Sequence, residues 1–598
     1  MLNKMQNYEY ITGIDGLRAL AVIAVVAYHF SFNWAKGGFL GVDIFFVISG
    51  YLITSKILSM QESNYGFSFK EFLIGRIKRL LPAAYTMIIT TFMWVVLFNR
   101  KLLTNLIGDA ISSIMYASNW WFIFHKLSYF DSFGSPSPLK NLWSLAIEEQ
   151  FYIVWPILLI IGLKVLKKRD KLANIVFIGA LCSAILMGIF YIPGEDPSRV
   201  YYGTDTRAFE LLIGSWLAII CPMERFWSKK IYAKGISIKQ RRVLNITGTV
   251  SLAIFILSVI FMNEYRQFLY RGGMLLFCLN AALLIVCVCH PACYLGCLFS
   301  WKPLRWVGKR SYGIYLWHYP IIVLSTPVYE IGNPSYLRVG LQLTAILIVS
   351  HLSYSFVEMP IRKHEFKGFL NKCSLANVSN LKVSPMTRRV SAIVTILIFL
   401  VFTVSTTSVL EGKQQAKNVE ISQPETAINN AETNSPPASK SYKKILAIGD
   451  SIMLDITPNL KNKYNNITID GKIGRQVSQA VKLAPSYEEF NDADNAVIIE
   501  LGTNAYFTDQ QINELLNSFS KAHIYLVNVR VPRQWENDVN KALEKKAKDN
   551  KNITLTDWHS AAINHPEYFS PDGVHLQPKG AEALTSLIDN ALKNSEED

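Results

Sequence analysis

Apolar stretches of about 20 residues recur through the first four hundred positions and then cease. They fall near 16–34, 39–59, 80–99, 142–164, 172–192, 207–222, 243–262, 272–290, 311–330, 338–358 and 390–410, each long enough to cross a bilayer as a helix. The pattern predicts eleven transmembrane helices, the last at 390–410. The stretch 108–125, GDAISSIMYASNWWFIFH, is apolar but rich in Ser and Trp, and predicts an interfacial or re-entrant helix. Residues 411–442 are polar, poor in aromatics and contain Pro436-Pro437; they cannot bury enough apolar area to fold and predict a flexible extracellular tether. From Lys443 onward, short apolar runs (KILAIG, AVIIEL, IYLVNV, ITLTDW) alternate with amphipathic ones (DQQINELLNSFSKA, WENDVNKALEKKAKD, PKGAEALTSLIDNALKN). Such alternation predicts a parallel sheet with helices on both faces. The expected fold class is a polytopic α-helical membrane domain over 1–410, joined by a linker over 411–442 to an α/β/α sandwich domain over 443–598.

Composition and charge sharpen that division. The chain has 598 residues, 51% hydrophobic and 18% charged, with a mean hydropathy of +0.21, and is too long for a single core. Residues 1–410 carry 40 Lys and Arg against 19 Asp and Glu, while 443–598 carry a net −5. The basic excess thus belongs to the membrane half, which argues against nucleic acid as a partner. With a cytoplasmic N-terminus, the inner loops contain KEFLIGRIKRLLP, KVLKKRDK, ERFWSKKIYAKGISIKQRR, WKPLRWVGKR and the stretch from IRKHEFKG to MTRR, as the positive-inside rule requires. An odd number of spans then puts the C-terminal domain outside, in a multi-pass protein of the cell membrane. The N-terminal MLNKMQNYEYITGIDG has no cleavable-signal pattern, so the first apolar segment is expected to remain as a membrane helix. All eight cysteines lie between Cys182 and Cys373, and the C-terminal domain must fold without disulfides. The cluster Cys287, Cys289, His290, Cys293 and Cys297 fits no standard zinc spacing, and no metal is expected.

In the C-terminal domain the run ILAIG stops at Asp450-Ser451, where a buried strand gives way to a turn and helix. Strand-end loops of a parallel sheet gather active residues, and Ser451 stands there as a candidate nucleophile. A neutral hydroxyl needs a base. Of His523, His559, His565 and His575, only His575 has a carboxylate at a short fixed offset in a strand-end loop, Asp572 of Asp-Gly-Val-His; that carboxylate can fix the imidazole tautomer. Backbone N–H groups of Ser451 and Gly474, with the Asn504 amide, are candidate oxyanion donors. Each alone has a plainer reading: Asp450 as a helix cap, Asn504 as a turn residue, Gly474 as a tight bend. Together and in order they resemble the SGNH (GDSL-like) esterase superfamily over 443–598, with Gly-Thr-Asn-Ala where that family usually has Gly-x-Asn-Asp. In VNVRVPRQWENDVN, Arg530, Arg533 and Trp535 suit either an acceptor cleft or a surface strand end with its helix cap.

The first span, DGLRALAVIAVVAYHF, places Arg18 and His29 eleven residues apart, about 16 Å along a helix and nearly on one face. Ionisable groups at membrane depth usually face a cavity or a substrate, although Arg18 serves equally well as an interfacial anchor. Glu148 and Glu149 in NLWSLAIEEQFY, Arg76, Lys78 and Arg79 in RIKRLLP, and Tyr315 and His318 in SYGIYLWHYP accompany them. With GGFLGVDIFFVISGYLI, these stretches resemble the acyltransferase-3 family of membrane acyl carriers over about residues 8–360. The resemblance implies acetyl-CoA as a cytoplasmic donor substrate, an O-acetylated glycan outside, and functional roles for Arg18, His29 and Glu149. The fusion of the two parts resembles the peptidoglycan O-acetyltransferases. It implies transfer to a cell-wall glycan, above all the muramoyl C6 hydroxyl, through a Ser451 acyl-enzyme, with no permanently bound cofactor. Another surface polysaccharide or a teichoic acid as acceptor, and an extracytoplasmic acetyl esterase, are the alternatives.

Overall fold

A computed structural model describes residues 10–62, 66–125, 127–129, 136–193, 196–223, 237–326, 335–363, 442–533, 535–570 and 572–593. Among these, the first part is a bundle of long helices: α1 (Thr12–His29), α2 (Gly41–Glu62), α3 (Phe69–Phe98), α4 (Leu142–Leu166), α5 (Arg169–Phe190), α6 (Thr204–Ile220), α7 (Ile238–Phe261), α8 (Met274–Cys289), α9 (Lys302–Ser325) and α10 (Tyr336–Leu352). They coincide with ten of the eleven expected spans. The eleventh, 390–410, and the 411–442 linker lie outside the described residues. Among the described residues, eight helices are long and apolar enough to cross a membrane. The two others carry charge: α6 has 17 residues including Asp205, Arg207 and Glu210, and the first half of α9 holds Lys302, Arg305, Lys309 and Arg310.

Two departures from the expected spans bear on function. α1 stops at His29, five residues before the apolar run ends, because Ser31 adopts a left-handed φ of 58° that a helix cannot continue through. His29 therefore closes the helix instead of sitting within it. The 108–125 stretch is not one helix but two short ones, Leu103–Ile114 and Ser118–Phe124, broken around Tyr116 at φ 52°. The second packs into the bundle: buried Asn119 donates from Nδ2 to the Tyr202 carbonyl (3.0 Å) and to Thr204 Oγ1 (2.9 Å).

α2 and α6 cross at backbone contact. A Cβ on Gly50 would collide with the Leu211 carbonyl, and one on Gly214 with the Val47 carbonyl, the small-residue crossing that lets membrane helices approach closely. One turn away, Arg207 pairs with Asp43 (2.7 Å) on α2 and with Glu210 (2.7 Å), all three fully buried. A buried charge is tolerated when paired, so this set fixes both register and rotation of the two helices.

The C-terminal domain is a five-stranded parallel sheet of β1 (Ile445–Gly449), β2 (Ile467–Gly471), β3 (Ala496–Glu500), β4 (His523–Val527) and β5 (Ile553–Thr556), in the order β2-β1-β3-β4-β5. Its main helices are α11 (Ser451–Lys463), α12 (Val477–Leu483), α13 (Asp509–Asn517), α14 (Glu536–Asp549) and α15 (Pro578–Lys593). β1 and β3 are buried throughout, as continuous apolar runs covered on both faces must be. β2 escapes sequence detection because it is a half-exposed edge strand with only Ile467 and Ile469 apolar. The chain enters at Tyr442, on the N-terminal edge of the sheet, and β1 carries it to Ser451 on the opposite edge. β1 and β3 flank the point where strand order reverses, the crevice where open α/β sheets bind ligands.

Candidate active site

Ser451 is the first residue of α11, directly after β1, and is almost fully buried. Asp450 caps the helix: its Oδ1 accepts from Ile452 N (3.0 Å), and its Oδ2 accepts from Asn504 Nδ2 (2.7 Å). One contact thus joins the Ser451 turn after β1 to the Asn504 loop after β3. Gly474 sits in the loop after β2 at φ 73° with open space around it, a conformation glycine alone adopts at no steric cost. In the last loop, Asp572 Oδ1 accepts from Val574 N (2.9 Å) and His575 N (3.0 Å), while His575 Nδ1 donates to Asp572 Oδ2 (2.6 Å). Nδ1 therefore carries the proton, and Nε2 is left with the lone pair a base needs. Burial pushes the Asp572 carboxyl up, but the His575 and backbone hydrogen bonds outweigh it and hold the group below the ordinary carboxylate range. Asp455, one turn beyond Ser451, accepts from Leu576 N (2.8 Å) and ties the histidine loop to the serine helix. Ser451 Oγ makes no hydrogen bond to any described residue; such contacts often tighten only with substrate present.

Behind Asp450 stands Glu500, the last residue of β3, also buried. Glu500 Oε2 accepts from Asp450 N and Oε1 from Thr503 Oγ1, both at 3.4 Å. Burial pushes Asp450 up to about 6, and burial together with the Asp450 charge raises Glu500 well above the carboxylate range. Both carboxyls thus hold their protons to higher pH than exposed carboxyls do. A carboxyl whose folded value is raised supports the fold at low pH and withdraws that support as pH climbs through the folded value. The C-terminal domain is therefore expected to lose thermal stability as pH rises from the ordinary carboxylate range through about 6, with Glu500 extending the loss to higher pH, and Glu500→Gln to flatten it. Melting temperatures followed by circular dichroism from about pH 4 upward check this; a profile identical in wild type and variant would contradict it.

The bundle holds a second constellation. His318, on α9, has Nδ1 within 2.7 Å of the Tyr315 carbonyl and 3.1 Å of that of Ile314. Carbonyls only accept, so Nδ1 is protonated and His318 Nε2 is an acceptor. That acceptor lies 3.1 Å from His29 Nδ1, which must donate. His29 Nε2 is then the acceptor, 3.2 Å from the Tyr129 hydroxyl. The main chain of Tyr129 is held in turn by Lys140 Nζ (2.6 Å) and Ser198 Oγ (2.7 Å).

A cavity of about 880 Å³, including its opening to solvent, is lined by Arg18, Arg76, Arg79, Lys309 and Arg362, with Glu148 and Glu358 among them. Neither Lys78 nor Glu149 lines it. Successive helical residues point about 100° apart, and it is Glu148 that turns inward, accepting from Ser49 Oγ (2.8 Å) and the Tyr152 hydroxyl (3.3 Å). Tyr315 also lines the cavity, and its ring centroid is 5.4 Å from that of His318. The cavity and the histidine pair thus meet.

Of Arg530, Arg533 and Trp535, Trp535 lines a cavity together with Lys36, Tyr265 and Asp538. Trp535 is buried, with Nε1 donating to the Gly502 carbonyl (3.1 Å), and Arg530 pairs with Glu536 (2.9 Å) in the first turn of α14. Sequence reasoning also missed Asp43, Tyr129, Lys140, Arg207, Glu210, Glu358, Asp455 and Glu500. Asp43, Arg207 and Glu210 carried a usable signal, as charges inside or at the edge of apolar runs.

A family model described as an acyltransferase domain matches residues 11–354, more than half of the chain. The chain belongs to the acyltransferase-3 family. It is a multi-pass membrane protein and an acyltransferase, and its bundle is the part that the family model covers. A Listeria monocytogenes peptidoglycan O-acetyltransferase is 47% identical over 622 residues, covering 98% of each chain. A Staphylococcus aureus O-acetyltransferase is 38% identical over 602 residues, covering 98% of this chain and 97% of the relative. A Bacillus subtilis protein provisionally named a peptidoglycan O-acetyltransferase is 51% identical over 640 residues, covering 99% of this chain and 100% of its own. Among solved structures, the C-terminal catalytic domain of a Streptococcus pneumoniae peptidoglycan O-acetyltransferase aligns at a TM-score of 0.23 and 18% identity, over 26% of this chain and 94% of that one.

Proposed function

We propose that this acyltransferase takes acetyl from cytoplasmic acetyl-CoA and transfers it to a hydroxyl of cell-wall peptidoglycan, the muramoyl C6 hydroxyl, through an acyl-enzyme on Ser451. The reading is carried by one observation: a cation-lined cavity, a histidine pair and a serine-histidine-aspartate site occur in one chain, and the cavity reaches the histidines. In this reading the N-terminus is cytoplasmic and the C-terminal domain is outside. The cavity then opens toward the compartment that holds acetyl-CoA, and its guanidinium groups suit the phosphates of the donor. Over the whole transfer to Ser451 the thioester C–S bond breaks as the ester bond to Ser451 Oγ forms, and the serine proton ends on CoA, which leaves as the thiol. His29 Nε2 serves as base or relay for the acetyl on its way across.

In the C-terminal domain, His575 Nε2 takes the Ser451 proton as Oγ attacks the acetyl carbonyl. Ser451 N, Gly474 N and the Asn504 amide receive the oxyanion. The sugar hydroxyl then attacks the acetyl-serine, passing its proton to His575, and the Ser451 C–O bond breaks to restore the free hydroxyl. The names of the Listeria and Bacillus relatives support peptidoglycan as the acceptor.

The test is the purified full chain with acetyl-CoA and muramoyl oligosaccharides, with 6-O-acetylmuramic acid quantified after digestion. Product formed only with both substrates is expected, and acetate release indifferent to the glycan would point to an esterase instead. In the same assay Arg79→Ala is expected to raise KM for acetyl-CoA roughly tenfold, about the loss of one charge-assisted hydrogen bond, with little change in kcat. An unchanged KM would remove the cavity from donor binding.

A further inference from the structure

The two halves touch, and they touch next to both sites. Tyr265, in the loop after α7, packs against the hydrophobic core of the bundle and against that of the C-terminal domain. Its ring stacks on Tyr506 with centroids 5.4 Å apart and meets Trp535 edge-on at 6.2 Å. Tyr506 lies two residues beyond Asn504, and Trp535 holds the Gly502 carbonyl at the start of the same loop. The contact therefore bears directly on the loop that supplies an oxyanion donor. Beside it, Lys36, in the loop between α1 and α2, reaches both carboxylate oxygens of Asp538 in the first turn of α14 (2.9 and 3.1 Å). Lys36 follows His29 by seven residues, so the bundle surface used is the end where His29 closes α1. Arg533 lies within electrostatic reach of Tyr319, whose ring centroid is 4.9 Å from that of His29.

We propose that this seam, made by Lys36 and Tyr265 on the bundle with Asp538, Tyr506 and Trp535 on the C-terminal domain, is a docking surface that aligns the Ser451 site with the His29 end of the bundle for acetyl transfer. The proposal rests on the two-step reading above and adds where the second step is loaded. The chemistry of the seam suits a contact that forms and parts. Lys36 and Asp538 remain 37% and 28% exposed, and an ion pair that accessible contributes at most about a fivefold factor in an equilibrium. One aromatic stack adds a factor of similar size. Both surfaces belong to one chain, so their association is intramolecular and needs little intrinsic affinity. A weak seam lets the domain leave again to meet a polymeric acceptor.

The experiment uses the full chain in detergent with two assays, acetyl-CoA-dependent acetylation of a muramoyl oligosaccharide and turnover of a soluble aryl acetate, which needs Ser451 but not the bundle. Lys36→Asp, Asp538→Lys and Tyr265→Ala are each expected to lower the first activity about 3- to 10-fold and to leave the second unchanged. The double exchange Lys36→Asp with Asp538→Lys is expected to recover most of the transfer. Three results overturn the proposal: single variants with normal transfer, single variants that lose both activities together, or a double exchange that recovers nothing. A wild-type chain that turns over aryl acetate but shows no acetyl-CoA-dependent transfer would instead defeat the two-step reading, before any seam variant is considered.

Discussion

With Ser451 as the nucleophile proposed above, Ser451→Ala is expected to lower both glycan acetylation and aryl acetate turnover by roughly 10⁴-fold or more, because removing the nucleophile of a concerted serine-histidine site costs about as much as removing the whole set. The geometry explains why no neighbour substitutes. Ser451 opens α11, where the unpaired backbone N–H groups of a helix start make an electropositive setting for a developing oxyanion. Asp450, beside it, is occupied by Ile452 N and Asn504 Nδ2, and Glu500 is buried behind. Asp572→Asn keeps nucleophile and base but loses the acceptor that fixes the His575 tautomer, and a fall of about 10²–10⁴ is expected. Activity of the Ser451 variant above about one hundredth of wild type would mean that acetyl reaches the sugar without this serine.

His29→Gln is expected to separate the two halves of the enzyme. Glutamine preserves a hydrogen-bonding tip but cannot take up a proton, so acetyl-CoA-dependent transfer should fall about 10²–10⁴-fold, the usual range for a lost general base. Aryl acetate turnover at Ser451 should be untouched. His318→Gln should show the same selectivity to a smaller degree, since His29 Nδ1 is held as a donor by the Val25 carbonyl and the His318 ring together. Retained transfer in His29→Gln would reduce the pair to packing. Loss of both activities would indicate a folding defect instead.

The strands and the long helices were legible because their signals are local: β1 and β3 are unbroken apolar runs, and a membrane helix declares itself by length. Ser451, Asn504, Asp572 and His575 could be named because each lies in a strand-end loop with a distinctive short neighbourhood. What escaped depends on rotation and distance. Glu148 and Glu149 are adjacent in sequence, and only the packing of α4 against α2 decides which one faces the cavity. The edge strand β2 has too few apolar residues to register. Tyr129 reaches His29 across a hundred positions, and Glu500 reads as one more residue of a buried strand until Asp450 is seen beside it. The end of α1 at His29 was hidden by apolar residues that continue past a backbone break at Ser31.

One feature of the sheet sets a mechanical condition on the whole enzyme. The polypeptide joins the C-terminal domain at Tyr442, behind the sheet, while Ser451 and the Asn504 loop lie at its front, and it is the front that rests on the bundle. The leash is thus fastened to the back of the domain, one strand of about 16 Å away from the reactive hydroxyl. Pulled taut, it would draw that rear face toward the lipid and turn the catalytic mouth outward. If Ser451 is loaded at the bundle as proposed, shortening the segment before Tyr442 is expected to lower acetyl-CoA-dependent transfer while leaving aryl acetate turnover intact.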